Sequence, residues 1–188
     1  GFDLPQTLAI VRRELDAMGV SYTEEFCKGS IVATLNPGKP FTIGLRGDMD
    51  ALPIKENSNN PYPSKMEGQM HACGHDLHST ALVGALMLLS RRKSEFSGVV
   101  FGLFQPGEEL NPGGAVKVLE ENPFEGYDVA AVIGEHVDST LEVGEIGICP
   151  GRFMASNDEL RLYVSGRGGH AARRSDIDDS VTAMADMV

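Results

Sequence analysis

The side chains best suited to holding a metal are concentrated in one short stretch, MHACGHDLHST at residues 70–80. There His71, Cys73, His75, Asp76 and His78 bring three imidazoles, a thiol and a carboxylate together. These are the groups that divalent transition metals select. If the run is extended as it leaves its loop, Cys73 and His75 stand two apart with side chains on the same side, within reach of one ion. Asp76 is then expected to cap the helix that follows. A bland alternative stays open, in which this is a polar loop with solvated histidines and Asp76 is a plain N-cap.

A second feature, the pair Glu108-Glu109, suits the same chemistry. One of two neighbouring carboxylates can hold an ion while the other stays unligated and takes a proton from an attacking water. That proton can then pass to a leaving nitrogen, so metal-assisted amide hydrolysis is the reaction class these residues point to. Asp48, Asp50 and His136 are further ligand-capable residues. Each feature alone has a plain reading, since paired glutamates are usually a solvated turn and a lone histidine after a strand is usually structural.

The elements that carry these residues argue that they converge. Phe41–Arg46 reads as a strand running into Asp48 and Asp50, Gly98–Phe104 as a continuous apolar strand leading to Glu108 and Glu109, and Val129–Ile133 as a buried strand ending just before His136. In open α/β sheets, ligands bind at the C-terminal edge of the strands. Between the strands lie helical patterns. Leu4, Leu8, Val11, Leu15 and Met18 form a stripe that ends at Gly19. Leu77 to Leu89 is apolar on most sides, as a helix buried against a sheet would be, and Ala115–Glu121 is a short helix. Ser30–Leu35 and Phe41–Arg46, separated by Asn36–Pro40, read as an antiparallel hairpin. Residues 55–70 read as a long exposed loop of the kind that often serves function. The fold class is α/β, with a mixed, mostly parallel sheet sandwiched by helices. Further on, Asp158–Ser165 alternates like a half-buried strand. Val181–Val188 begins a helix with Asp178 or Asp179 near its cap.

Composition narrows the partners. With 16 basic and 27 acidic residues among 188, the net charge of −11 repels phosphate backbones and anionic lipid surfaces. Neither nucleic acid nor a membrane is an expected partner. Cys27, Cys73 and Cys149 are odd in number and far apart, with no CxxC pair, so a reducing compartment, the cytoplasm, is expected. No apolar run approaches the ~20 residues of a membrane helix.

GDMDALP at 47–53, HACGHDLH at 71–78, FQPGEE at 104–109 followed by PGGA, EHVDSTLEVG at 135–144 and SGRGGHAA at 165–172 occur in that order. Together they resemble the metal-dependent N-acyl-amino-acid amidohydrolases, the group of hippurate hydrolase and the plant auxin-conjugate hydrolases, related to aminoacylase and carboxypeptidase G. The resemblance implies a zinc-peptidase-like catalytic domain with two divalent metal ions per subunit, zinc or manganese, with cobalt or nickel as alternatives. It makes Cys73, His75, Glu109 and His136 metal ligands and Glu108 the general base and acid. Asp50 would act beside the centre, orienting a ligand or a water. His71 and His78 match the family string without a ligand role and are expected to hold the loop.

The same resemblance implies that the chain leaves the catalytic domain near Asn157. Residues 1–155 would be an incomplete catalytic domain, and 156–188 the beginning of a lid and dimerisation domain. There His170 would polarise the scissile carbonyl, commonly across a homodimer. Family members are longer and carry a further histidine ligand toward their C-terminus, with no counterpart here, which implies a piece of a longer chain. Arg173 and Arg174 stand where a proline usually follows GGHAA in the family. The activity implied is hydrolysis of the amide bond of N-acyl amino acids or small acylated peptides. A dipeptidase or aminopeptidase on the same scaffold and a non-catalytic metal-binding fragment are the alternatives.

Overall fold

Helix α1, Pro5–Met18, starts with its proline in the first turn and stops at Gly19, whose φ of 64° forms the left-handed C-cap. Leu8, Val11 and Leu15 are its buried face. In the computed structural model, which describes residues 1–156 and 158–187, the chain divides into two compact units, Gly1–Gly147 and Ile148–Val188.

The first unit is built on a five-stranded mixed sheet of β1 (Ser21–Thr23), β2 (Ile31–Leu35), β3 (Phe41–Asp48), β4 (Gly98–Gln105) and β5 (Val129–Gly134), in the order β1-β2-β4-β3-β5. β3 runs parallel to both β4 and β5, whereas β2 is antiparallel to β1 and to β4. β2 is therefore the one reversed strand. The tight hairpin expected between Ser30–Leu35 and Phe41–Arg46 is not formed, because β4 lies between the two strands. β4 is buried from Val99 to Gln105, and the central position is the one that covers both of its faces. The Asn36–Pro40 link reverses the chain, with Asn36 at a φ of 52°, but it spans two strand spacings, about 10 Å.

Helices cover both faces. On one, α1 and α2 (His75–Arg91) pack Leu8, Val11, Leu15, Leu82 and Leu86 against Ile31, Ala33, Val100 and Phe104. On the other, Val118 of α3 (Gly114–Glu120) joins Val32, Val99, Phe101 and Leu103. Each fully buried aliphatic side chain of this kind contributes about 1.5–3 kcal/mol. β5 departs from expectation. It sits at the sheet edge with Val132 and Ile133 about half exposed, not buried. An apolar run reports what can be covered, and only the neighbours decide whether it is.

The start of α2 also differs. Asp76 is not its N-cap. That place is taken by Gly74 at a φ of 89°, whose carbonyl accepts from the amides of Leu77 and His78, while Asp76 sits in the first turn. Cys73 and His75 are thus separated by a left-handed turn, not carried on an extended run. The loop before it is closed at its base by an antiparallel bridge between Leu52 and Met70.

In the second unit, the strand expected at 158–165 does not form among the described residues. Leu160 and Tyr163 are largely exposed there. Alternation marks two faces, but a ladder also needs a neighbouring strand to take up its backbone groups. Instead, Arg167 and Asp178 are tied together, the Asp178 amide donating to the Arg167 carbonyl at 2.9 Å. Helix α4, Ser180–Ala185, is capped by Asp179, whose side chain accepts from the Thr182 amide at 3.1 Å. Asn157, at the expected domain boundary, and Val188 lie outside the described residues. No described helix is long and apolar enough to cross a membrane.

Candidate metal centre

Parallel β3, β4 and β5 end side by side, so the residues that follow them meet at one edge of the sheet. The α2 N-terminus arrives at the same edge. Cys73, His75 and Glu109 each bring one ligand atom to a site where all three lie within 4.8 Å of one another. His136 Nε2 joins them, 3.5 Å from Cys73 Sγ. For an ion bound tetrahedrally at the usual sulfur and nitrogen distances, two such donors stand about 3.5 Å apart.

The hydrogen bonds of the histidines decide which nitrogen each can offer. His75 is buried, and its Nδ1 lies 2.7 Å from the Asp50 carbonyl oxygen, to which it can only donate. In the neutral ring its Nε2 then carries the lone pair, and it has no hydrogen-bond partner. His136 repeats the pattern, its Nδ1 donating to the Val137 carbonyl at 2.8 Å and its Nε2 facing Cys73. A carbonyl behind the ring is how proteins fix the tautomer of a metal-ligating histidine.

The glutamates are placed differently from each other. Glu108 Oε2 and Glu109 Oε1 both stand 3.7 Å from His75 Nε2, but the Glu108 side chain is 40% exposed and that of Glu109 only 21%. Glu109 Oε1 is buried with no partner. Asp50 organises this turn from beneath, its carboxylate accepting from the amides of Glu108 at 2.9 Å and Glu109 at 3.3 Å. The Gly1 amino group is 2.6 Å from Asp50 Oδ2. Burial alone would raise the Asp50 pKa, but the His75 ring, this amino group and the Glu108 amide outweigh it and hold the carboxyl well below its ordinary range.

Charge at the centre is out of balance without a cation. Burial, then Glu109, Glu108 and Asp48, push the Cys73 thiol up to about 11. Burial lowers the His75 pKa, but Asp50 and Asp48 more than reverse that and raise it. A thiol, two imidazole lone pairs and a carboxylate with an orphaned buried oxygen fit a divalent cation of intermediate softness, which would also ionise the thiol.

Asp48, His75 and His78 form a second close group of potential ligands. Two of its three members, Asp48 and His78, are already engaged. His78 Nδ1 lies 2.7 Å from Asp48 Oδ1, the Val137 amide donates to His78 Nε2 at 3.0 Å, and Arg46 Nη1 is 2.7 Å from Asp48 Oδ2. Sequence reasoning offered Asp48 only as a ligand-capable residue and left Arg46 without a role. The available signal was their spacing, two polar residues on one face at the end of an otherwise apolar strand. His71 is exposed. His170 belongs to the second unit, where its Nδ1 accepts from the Ala172 amide at 3.2 Å.

Comparison with known proteins gives this arrangement a family. Residues 44–186 match the family described as peptidase family M20/M25/M40. The chain belongs to that family. Among its relatives, the chain is 38% identical over 188 residues to the IAA-amino acid hydrolase ILR1-like 5 of Arabidopsis thaliana, covering all of this chain and 42% of that protein. It is 43% identical over 146 residues to the N-acetylcysteine deacetylase of Bacillus subtilis, covering 78% of this chain and 38% of that one. The chain thus spans less than half the length of these M20 relatives. A crystal structure from Bacillus subtilis, described as a dinuclear metal binding peptidase from the M20 family, is similar over 78% of this chain and 41% of its own, with a TM-score of 0.71 and 38% identity. The mixed sheet flanked by helices is accordingly the fold of an M20 catalytic domain.

Proposed function

We propose that the complete protein hydrolyses the amide bond of N-acyl amino acids or small acylated peptides, using two divalent metal ions held by Cys73, His75, Glu109 and His136. The observation that carries this reading is the pair of unpartnered buried atoms, His75 Nε2 and Glu109 Oε1, beside the Cys73 thiol. The metal identities in keeping with this donor set are zinc or manganese, with cobalt or nickel as alternatives. When bound, the ions supply Lewis acidity, polarising the scissile carbonyl and making a water a better nucleophile at neutral pH. Names of relatives support the substrate class, since one is a hydrolase of an amino acid conjugate and another a deacetylase of an N-acetyl amino acid.

The chain's own residues divide the remaining work. Glu108, the more open of the two glutamates, takes the proton as the water oxygen bonds to the carbonyl carbon and returns it to the nitrogen as the C–N bond breaks. Asp50 holds the Glu108–Glu109 turn and the His75 ring in place. His170 donates to the carbonyl oxygen as negative charge develops there. Its Nδ1 is occupied as an acceptor, which puts the proton of a neutral ring on Nε2. Residues 156–188 begin a lid and dimerisation domain, the complete protein acts as a homodimer, and its compartment is the cytoplasm.

The test compares Glu108→Gln and Glu109→Gln in the complete, metal-loaded protein, with N-acetyl amino acids and unblocked dipeptides as substrates. Glu108→Gln should lower hydrolysis by about two to four orders of magnitude while keeping its metal. Glu109→Gln should lose metal. Retention of metal by Glu109→Gln together with loss from Glu108→Gln would exchange the two roles, and turnover of the unblocked dipeptides alone would overturn the substrate class.

A further inference from the structure

His78 is the one buried histidine of the cluster whose nitrogens are both consumed by the protein. A backbone amide can only donate, so the Val137 amide requires an unprotonated Nε2 on His78. The ring proton must then sit on Nδ1 and be donated to Asp48 Oδ1. This is the same tautomer that His75 and His136 adopt, but here the Nε2 lone pair is spent on the Val137 amide, which removes His78 from the ligand set.

The bond to Val137 matters because of what that amide belongs to. It is the nitrogen of the peptide unit that joins His136 to Val137, so holding it fixes the plane on which the His136 side chain is mounted. The His136 ring also rests edge-on against His78, with centroids 4.6 Å apart and planes at 61°. Behind His78 the support is continuous. Asp48 is held by Arg46, and Arg46 Nε donates to Gln105 Oε1 at 2.8 Å. One chain of hydrogen bonds therefore runs from the end of β4 through β3 and α2 to the loop after β5. That loop has no strand or helix of its own to fix it, since β5 ends at Gly134. Gly74 completes the contact, because a Cβ there would come 2.3 Å from Val137 Cγ2.

We propose that His78 is a positioning residue that sets the place of His136 at the metal centre through the Val137 amide. The proposal rests on the metal-centre reading given above, and two variants separate its two bonds. Asparagine can keep a donor near the His78 Nδ1 position toward Asp48 but cannot reach Val137. Glutamine can place an acceptor near the Nε2 position and keep the bond to Val137.

The experiment uses the complete protein. Amide exchange at Val137 is followed by NMR in the metal-free state, and Zn²⁺ affinity is measured by competition with a chromophoric chelator. In wild type the Val137 amide should be protected. His78→Asn should lose that protection and bind Zn²⁺ about 10- to 100-fold more weakly, as loss of an outer-shell partner does elsewhere. His78→Gln should recover most of both. Equal Zn²⁺ affinity in wild type and His78→Asn, or failure of His78→Gln to recover affinity, would overturn the proposal. If His78→Asn does not fold, an unprotected Val137 amide in wild type overturns it as well, and protection there with wild-type affinity in His78→Gln upholds it. Should wild type bind no Zn²⁺ while its Val137 amide is protected, the metal reading fails and the hydrogen-bonded support does not.

Discussion

Replacing Asp50 with asparagine isolates the residue that ties three parts of the centre together. Its carboxylate accepts from the Glu108 and Glu109 amides, and its side chain is fully buried. Asparagine keeps one oxygen for one of these amides, and its NH₂ then faces the other donor. Beside the ion pair with the Gly1 amino group, the loss is one hydrogen bond to a charged acceptor and a buried amide left without an acceptor, these two together about 3 kcal/mol. For a chain of this size that lowers Tm by about 10 °C. Circular dichroism of the metal-free protein at pH 7 measures it. The pH dependence has a defined sign. Because the folded-state pKa of Asp50 is depressed, its stabilisation is fully present above the unfolded carboxyl pKa of about 4 and is lost as pH falls through the folded value. The gap between wild type and Asp50→Asn should therefore hold steady from neutral pH downward and close only in strong acid. A Tm within about 2 °C of wild type at pH 7, or a gap that widens on acidification, would refute the reasoning.

Other outcomes follow from the same geometry. In the metal-free protein, iodoacetamide at pH 8 should modify exposed Cys149 first, since burial pushes the thiols of both Cys27 and Cys73 up, the latter to about 11. Peptide mapping by mass spectrometry gives the order, and Cys73 reacting first would contradict the charge placed around it. Gly74→Ala forces a side chain into the left-handed region, at a cost of about 1–2 kcal/mol, and drives a Cβ into Val137. Chemical denaturation should show at least that loss, and an unchanged midpoint would mean that the start of α2 is not fixed as described.

Much of this site is legible in the residue string because its information is local. The family motifs, the metal-ligating side-chain types, the helix stop at Gly19 and the placement of Glu108, Glu109 and His136 just beyond strands depend on neighbours within a few residues. The direction of parallel strands then brings their C-terminal ends together. What depends on distant partners was not legible. Asn36–Pro40 has the composition of a hairpin turn, yet the insertion of β4 between β2 and β3 is decided by which strand must be covered on both faces. Val129–Ile133 is apolar enough for a core but lies at an edge, and 158–165 alternates without finding a ladder. The roles of the histidines divide in the same way. By residue type alone His75, His78 and His136 look alike, and in the sequence only the family resemblance separates the two expected ligands from His78. Tertiary structure sets a carbonyl behind two of them and a carboxylate and an amide around the third. Because an imidazole has one proton and one lone pair to distribute, that environment determines whether the Nε2 lone pair remains free to hold a metal.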